Sequence, residues 1–297
     1  MYSTQALPKL PRMAAVHDLS GMGKCSLTVA LPIVSATGVE CCCIPTALLS
    51  THTGGCLTGW TFTDLSGDIV PIARHWHDMA LKFDAVYSGY LASEAQGRLL
   101  EQAIDLIAGD DTHIIVDPAM ADNGKYYANL DVRMTECFRR LIRRADIITP
   151  NITEACFLTD TPYRAGGHNE KFVTELIDKL SELGPDFVAI TGVSPERGKV
   201  GIAARDNKTG MSCCVMNDAL DGTFHGSGDV FASAFAALLT RGAPLEKALC
   251  TAEQFVTAAI ERTALRATPR EYGLDFEGIL PEYIRLCEAL FAPEAEA

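Results

Sequence analysis

The chain has 297 residues, of which 48% are hydrophobic and 21% charged, and its formal net charge is −13. Such a length and balance belong to a globular protein with a sizeable core, not to a disordered chain. The acidic charge argues against nucleic acid or an anionic membrane as partner, because both attract Lys and Arg, but it leaves a small phosphorylated ligand open.

The 11 cysteines fall in apolar runs such as Cys41-Cys42-Cys43 and Cys213-Cys214, and no C-x-x-C occurs. Neither a zinc site nor a redox motif is supported, so they are expected to be reduced, buried small hydrophobes. Met1 to Arg12 lacks the apolar centre of a signal peptide, and no run approaches the roughly 18 apolar residues of a membrane span. A cytoplasmic location is expected.

In chain order, Met13–Val16 reads as a short strand, His17–Gly23 as a glycine-bearing turn, and a helix begins near Cys25 or Ser26. Such a βα unit collects ligands at the carboxyl end of its strand. It is not a P-loop, since the glycine needed five residues before Gly23 is Asp18, and no G-x-G-x-x-G appears. Cys41–Ile44 is a second strand. The Thr-, Ser- and Gly-rich stretch from Thr46 to Gly59, carrying His52, is either a binding flap or a solvated connection.

Asp84–Leu91 is a third strand, followed by a helix from about Glu94 to Ala108. His113–Val116 is nearly all apolar, as for a parallel strand buried on both faces, and the acid after it, Asp117, lies at the ligand edge. Met120–Lys125 has the turn chemistry of a lid. A helix around Arg133–Arg144 leads to a strand whose end carries Thr149, Asn151 and, one helical turn in, Glu154; the last two form a capping box on one reading and a ligand site on another. Helix His168–Leu183, strand Phe187–Gly192 and an edge hairpin of Gly201–Arg205 with Ser212–Met216 follow. Helices to Thr240, from Leu245 to about Arg262, and near Pro281–Phe291 complete the chain.

Alternating strands and helices predict one α/β domain over residues 1–297, a mainly parallel, doubly wound sheet with an antiparallel edge hairpin and helices on both faces. Residues 1–12 and 292–297 are expected to be flexible. Asp221–Asp229, which reads DGTFHGSGD, runs into the Ala-rich helix Val230–Leu239. Its glycines stand where a helix begins and free N–H groups point outward, which makes an anion site. Asp229 in the first turn is either a helix cap or a carboxylate held beside a bound phosphate.

Taken in order, Val16-His17-Asp18-Leu19-Ser20-Gly21, Leu49-Ser50-Thr51-His52-Thr53-Gly54, Tyr87-Ser88-Gly89-Tyr90, Val116-Asp117-Pro118, Asp146-Ile147-Ile148-Thr149-Pro150-Asn151 with Glu154, and Gly226-Ser227-Gly228-Asp229 resemble the pyridoxal/pyridoxamine kinases, in particular the bacterial pyridoxamine kinases. The resemblance covers nearly the whole chain and implies the ribokinase-like three-layer α/β/α fold. It differs in Ser227, where the family usually has threonine, and in a lid without the cysteine that some bacterial members carry.

The resemblance implies ATP-dependent phosphorylation of the 5′-hydroxyl of a B6 vitamer, with Asp229 accepting the hydroxyl proton and the N–H groups of Gly226, Ser227 and Gly228 receiving charge on the γ-phosphoryl. It further implies that Asp117 and Glu154 hold Mg²⁺, that Thr149, Asn151 and Thr191 contact phosphate oxygens, and that Asp18, Ser20, Thr51, His52 and Tyr90 line the ring pocket. A monovalent cation and a homodimer are further expectations. The alternatives are a hydroxymethylpyrimidine kinase with the same anion hole, a non-catalytic vitamin-binding protein, and a dinucleotide-dependent dehydrogenase, against which the missing glycine fingerprint counts.

Overall fold

The computed structural model describes residues 9–54, 57–267 and 270–292. Positions 55 and 56 of the expected flap, and the expected flexible ends at 1–8 and 293–297, lie outside the described residues. Arg12 is not part of a loose tail: it opens the first strand, and its N–H donates to Asp84 at 2.8 Å.

The strands are β1 (Arg12–Ser20), β2 (Glu40–Leu49), β3 (Phe62–Asp64), β4 (Ala85–Ser88), β5 (His113–Val116), β6 (Ala121–Asp122), β7 (Lys125–Tyr126), β8 (Ile147–Ile148), β9 (Phe187–Val193), β10 (Lys199–Asp206) and β11 (Ser212–Asp218). The helices are α1 (Leu27–Ala36), α2 (Ser66–Asp78), α3 (Glu94–Ile107), α4 (Val132–Ile142), α5 (Ile152–Leu158), α6 (Glu170–Ser181), α7 (Ser227–Thr240), α8 (Leu245–Ala264) and α9 (Leu280–Leu290). Nine strands form one sheet in the order β11-β10-β9-β8-β5-β4-β1-β2-β3. The pairs from β9 through β2 are parallel, while the edge pairs β2-β3, β9-β10 and β10-β11 are antiparallel.

Short central strands such as Ala85–Ser88 are buried along their whole length because helices cover both faces. One face packs against residues of α2 to α6, including Leu100, Phe138 and Leu176. The other packs against α1, α7, α8 and α9 through residues such as Ile33, Phe231, Phe235 and Phe255. The Ala-rich sequence of α7 is explained by this setting, since small side chains let it lie between the sheet, α1 and α8 with nine of its residues buried.

From β1 the chain steps outward to β2 and β3, returns to the other side of β1 as β4, and then steps outward the opposite way to β11. The reversal leaves a crevice above the carboxyl ends of β1 and β4, the place where open α/β sheets bind ligands. Two expectations need correction. The strand beginning at Met13 continues through His17 to Ser20 instead of turning, and β2 likewise runs on to Leu49 through residues read as flap. The cysteines are not uniformly buried: ten are free among the described residues, and Cys214 and Cys250 are exposed.

Candidate active site

The pairing of β1 with β2 is irregular near the carboxyl end of β1. Pairing with β2 shifts register between His17 and Leu19, after which Leu19 faces Leu48 and Ser20 faces Leu49. Asp18 stands at that irregularity, opposite the extra residue that β2 inserts between Pro45 and Leu48. Buried at the mouth of the crevice, its carboxylate accepts from Ser20 Oγ at 3.0 Å. Burial raises its pKa, while the nearby Ser26 and Ser20 hydroxyls hold it down. Tyr90, just past β4, has its hydroxyl pushed up to about 12 by burial and by the neighbouring Asp18.

Across the crevice, Gly226 starts α7 in the left-handed conformation, with φ of 80°. A Cβ there would also come within 2.2 Å of the Lys24 carbonyl oxygen, so glycine is required twice over. Val230 N–H is the first well-formed helical donor, reaching Gly226 O at 3.0 Å, and Ser227 N–H makes only a 3.4 Å contact with Phe224 O. Among the described residues, the N–H groups of Gly228 and Asp229 have no backbone acceptor. A Cβ on Gly228 would meet nothing within 4 Å, so its side-chain direction is open. Asp229, in the first turn, has its pKa raised to about 7 by burial and by Asp18, against the Ser26 backbone N–H beside it. A carboxyl tuned close to neutrality is suited to taking a proton at physiological pH.

His52 has a different role from the one its residue type suggests. Its Nδ1 accepts from Gly54 N–H at 3.0 Å, which leaves Nε2 to donate to the Glu271 carbonyl at 2.6 Å. Both ring nitrogens are thereby used, and only the ring face is available to a ligand. Gly23, with φ of 89°, lies so close to the His52 ring that a Cβ would approach its Cδ2 to 2.1 Å. Thr51 Oγ1 donates to the His52 carbonyl at 3.1 Å. The loop after α8 therefore reaches back over the crevice: besides Glu271, Tyr272 O accepts from Lys24 N–H at 3.0 Å and Glu277 pairs with Lys24 Nζ at 2.6 Å.

A second acidic group lies toward β5 and β8. Asp117 and Glu154 are both buried, and burial together with their charged neighbours, Asp229 beside Asp117 and Asp117 beside Glu154, pushes both well above the usual carboxylate range. Among the described residues no lysine or arginine pairs with Asp117, Glu154 or Asp229. The Thr149 hydroxyl, buried beside Asp117, has no partner of hydrogen-bonding geometry there and can serve a ligand oxygen. Asn151 and Glu154 form a complete capping box on α5. Asn151 Nδ2 also donates to Ala121 O at 2.7 Å, and Glu154 Oε1 accepts from the N–H groups of Met120 at 2.9 Å and Ala121 at 3.3 Å. Thr191 N–H donates to Pro150 O at 3.0 Å, tying β9 to the same corner.

The capping box thus anchors the expected lid, which is the β6-β7 hairpin turned by Asn123 and Gly124, both at positive φ as a two-residue primed turn demands. Asp18, Ser20, His52, Tyr90, Gly226 and Asp229 line a single cavity of about 170 Å³, room for one substituted six-membered ring. Thr51, Asp117, Thr149, Asn151, Glu154, Thr191, Ser227 and Gly228 do not line that cavity. The sequence reading omitted other residues that line it, among them Lys24, Ser26, Tyr127 and His225. His225 was inside the glycine-rich stretch and could have been found there. Ser26 gave no such signal, because its unusual φ of 51° is visible only in the fold.

A carboxylate at a helix N-terminus facing a ring-sized cavity at the switch point of a nine-stranded sheet marks a ribokinase-like small-molecule phosphotransferase. Residues 31–272 match the phosphomethylpyrimidine kinase family. The chain is 37% identical to a *Bacteroides thetaiotaomicron* protein described as a candidate phosphomethylpyrimidine kinase and solved with pyridoxal, with a TM-score of 0.87 over 93% of this chain and 96% of that one. With the pyridoxal kinase of *Lactobacillus plantarum* the identity is 30% and the TM-score 0.84, over 95% of this chain and 99% of the other. The chain belongs to the phosphomethylpyrimidine kinase family and, within it, to the pyridoxal/pyridoxamine kinases. It also matches the *Arabidopsis thaliana* chloroplastic thiamine biosynthetic bifunctional enzyme TH1 at 26% identity, spanning 48% of that protein's length. Among the described residues no helix is long and apolar enough to cross a membrane.

Proposed function

We propose that the protein transfers the γ-phosphoryl group of ATP to the 5′-hydroxyl of a B6 vitamer, acting as a single domain in the cytoplasm and as a homodimer. One observation carries the reading: Asp229, with its pKa raised to about 7, shares a ring-sized cavity with Asp18 and Tyr90 and stands at the start of α7. Asp229 takes the hydroxyl proton as the oxygen attacks, and the N–H groups of Gly226, Ser227 and Gly228 receive charge on the phosphoryl oxygens. Asp18 meets a donor-bearing position of the pyridine ring, with Ser20 holding its carboxylate in place, and Tyr90 packs on the ring. His52 and Thr51 keep the flap closed over it.

Thr149, Asn151 and Thr191 form the nucleotide side of the site. Asp117 and Glu154 suit Mg²⁺ in donor chemistry, being buried carboxylates without a basic partner among the described residues, although no group of three or more His, Cys, Asp or Glu side chains converges there. Three backbone N–H groups already occupy Glu154, so Asp117 would hold the ion directly and Glu154 through water, in keeping with the few carboxylates Mg²⁺ takes. When bound, the ion neutralises charge on the phosphates.

The second reading is hydroxymethylpyrimidine phosphorylation, favoured by the match of residues 31–272 and by the plant relative. A coupled ADP-release assay separates the two readings across pyridoxal, pyridoxamine, pyridoxine, hydroxymethylpyrimidine and ribose. The proposal expects clearly faster turnover of a B6 vitamer; equal or faster turnover of hydroxymethylpyrimidine would transfer the assignment to the second reading.

A further inference from the structure

We infer that His225 is a catalytic residue that donates a ring N–H to an oxygen of the phosphoryl group during transfer; the inference rests on the kinase reading above. His225 immediately precedes Gly226, so it enters the cavity at the point where the chain turns into α7, in the same lining as Asp18, Tyr90 and Asp229. Two imidazoles flank Gly54 there, since a Cβ on that glycine would lie 3.2 Å from Nδ1 of both His52 and His225. They differ in what they have free. His52 is hydrogen-bonded through both nitrogens, to Gly54 N–H and to the Glu271 carbonyl, whereas among the described residues His225 has no hydrogen-bond partner.

Its charge state supports a donor role. Burial and the neighbouring His52 push the half-buried imidazole below its ordinary pKa, against Asp122 and Glu271, so at neutral pH it is uncharged and carries one N–H. The surroundings explain why a neutral donor is needed. Asp18, Asp117, Asp122, Glu154 and Asp229 collect around the crevice, and Lys24, a basic side chain in the cavity lining, is paired with Glu277. In the cavity lining the donors left for phosphoryl oxygens are neutral N–H groups, those at the start of α7 and that of His225.

The test compares full-length wild type with His225→Ala and His225→Gln, using ADP release with pyridoxal and calorimetric binding of ADP with and without aluminium fluoride in the presence of pyridoxal. Loss of one preorganised donor typically costs about 10²- to 10³-fold in rate, so kcat of the Ala variant should fall at least about 10-fold, with KM for pyridoxal within about twofold of wild type. Gln, which retains an N–H donor, should lose less. The Ala variant should also bind the ADP and aluminium fluoride complex more weakly while its affinity for ADP alone and its Tm are unchanged. Undiminished kcat in the Ala variant, a raised KM at constant kcat, or weakened binding of ADP alone would each overturn the assignment. If wild type itself turns over no B6 vitamer, the kinase reading fails and takes this inference with it.

Discussion

Asp229→Asn separates a helix cap from a catalytic base, because the structure gives the two roles opposite signs in stability. A cap replaced by Asn, itself a good residue at helix starts, changes stability by about 1 kcal/mol or less. A base held at a pKa of about 7 is different, since folding raises that carboxyl from its ordinary 3.8 and thereby disfavours its charged form. In sign, the folded state binds the proton more tightly than the unfolded state; the destabilisation is absent below pH 3.8, grows through the window between, and is complete above pH 7. At 1.36 kcal/mol per unit, roughly three units correspond to an upper bound of about 4 kcal/mol.

Asn removes that charge and retains an acceptor for the Ser26 N–H. The variant should therefore be more stable than wild type at pH 8, by on the order of 1–4 kcal/mol or several degrees in Tm, with the gap narrowing toward pH 5. Its kcat should fall by roughly 10²- to 10⁴-fold, and the rise of kcat/KM through a pH of about 7 expected of wild type should vanish. Thermal melts at the two pH values and ADP-release kinetics make the measurement. A variant less stable than wild type at pH 8, or one keeping most of its turnover, would refute the assignment of Asp229 as a tuned base.

Glu154→Gln leaves one oxygen where the carboxylate offered two to the N–H groups of Met120, Ala121 and Asn151. An unsatisfied buried donor costs about 1–3 kcal/mol, so amide exchange at one or more of these positions should speed up roughly 5- to 100-fold; unchanged protection, with a shift only in Mg²⁺ dependence, would deny the hairpin anchor. Mg²⁺ without nucleotide should raise Tm by relieving the mutual repulsion of Asp117, Glu154 and Asp229, by about 2.7 kcal/mol of stability at 100 times Kd. The same rise in Asp117→Asn would place the ion elsewhere.

What was legible in the sequence follows from how far each interaction reaches along the chain. Alternation of buried strands and helices is local, and so is the three-residue spacing of Asn151 and Glu154, so both could be read from short windows. The antiparallel hairpin of β10 and β11 was equally plain, with apolar runs separated by a polar turn. Helix α2 was missed because Pro71 lies inside it and only Ile69 and Ala73 are buried, which leaves little apolar periodicity to detect. Edge strand β3 has three residues, all exposed, and exists by virtue of its pairing with β2.

The site shows the same division more sharply. Asp18 and Asp229 could be singled out separately, one at a strand end and one at a helix start, but their mutual influence depends on a crevice joining residues more than 200 positions apart. Strand β1 is buried at nearly every residue and shows no period-two pattern, so the polar pair His17-Asp18 made it appear to end at Val16. His52 looked like a free ligand for an aromatic ring because its acceptor, the Glu271 carbonyl, is 219 residues away and is a backbone atom that no side-chain pattern records. Conversely, His225 was in plain view within the glycine-rich stretch and was passed over because its neighbours explained that stretch without it. A residue type shows what a side chain is able to do, but only its partners show whether that capacity is already used: in this crevice the histidine that drew attention is hydrogen-bonded at both nitrogens, and the overlooked one has no hydrogen-bond partner among the described residues.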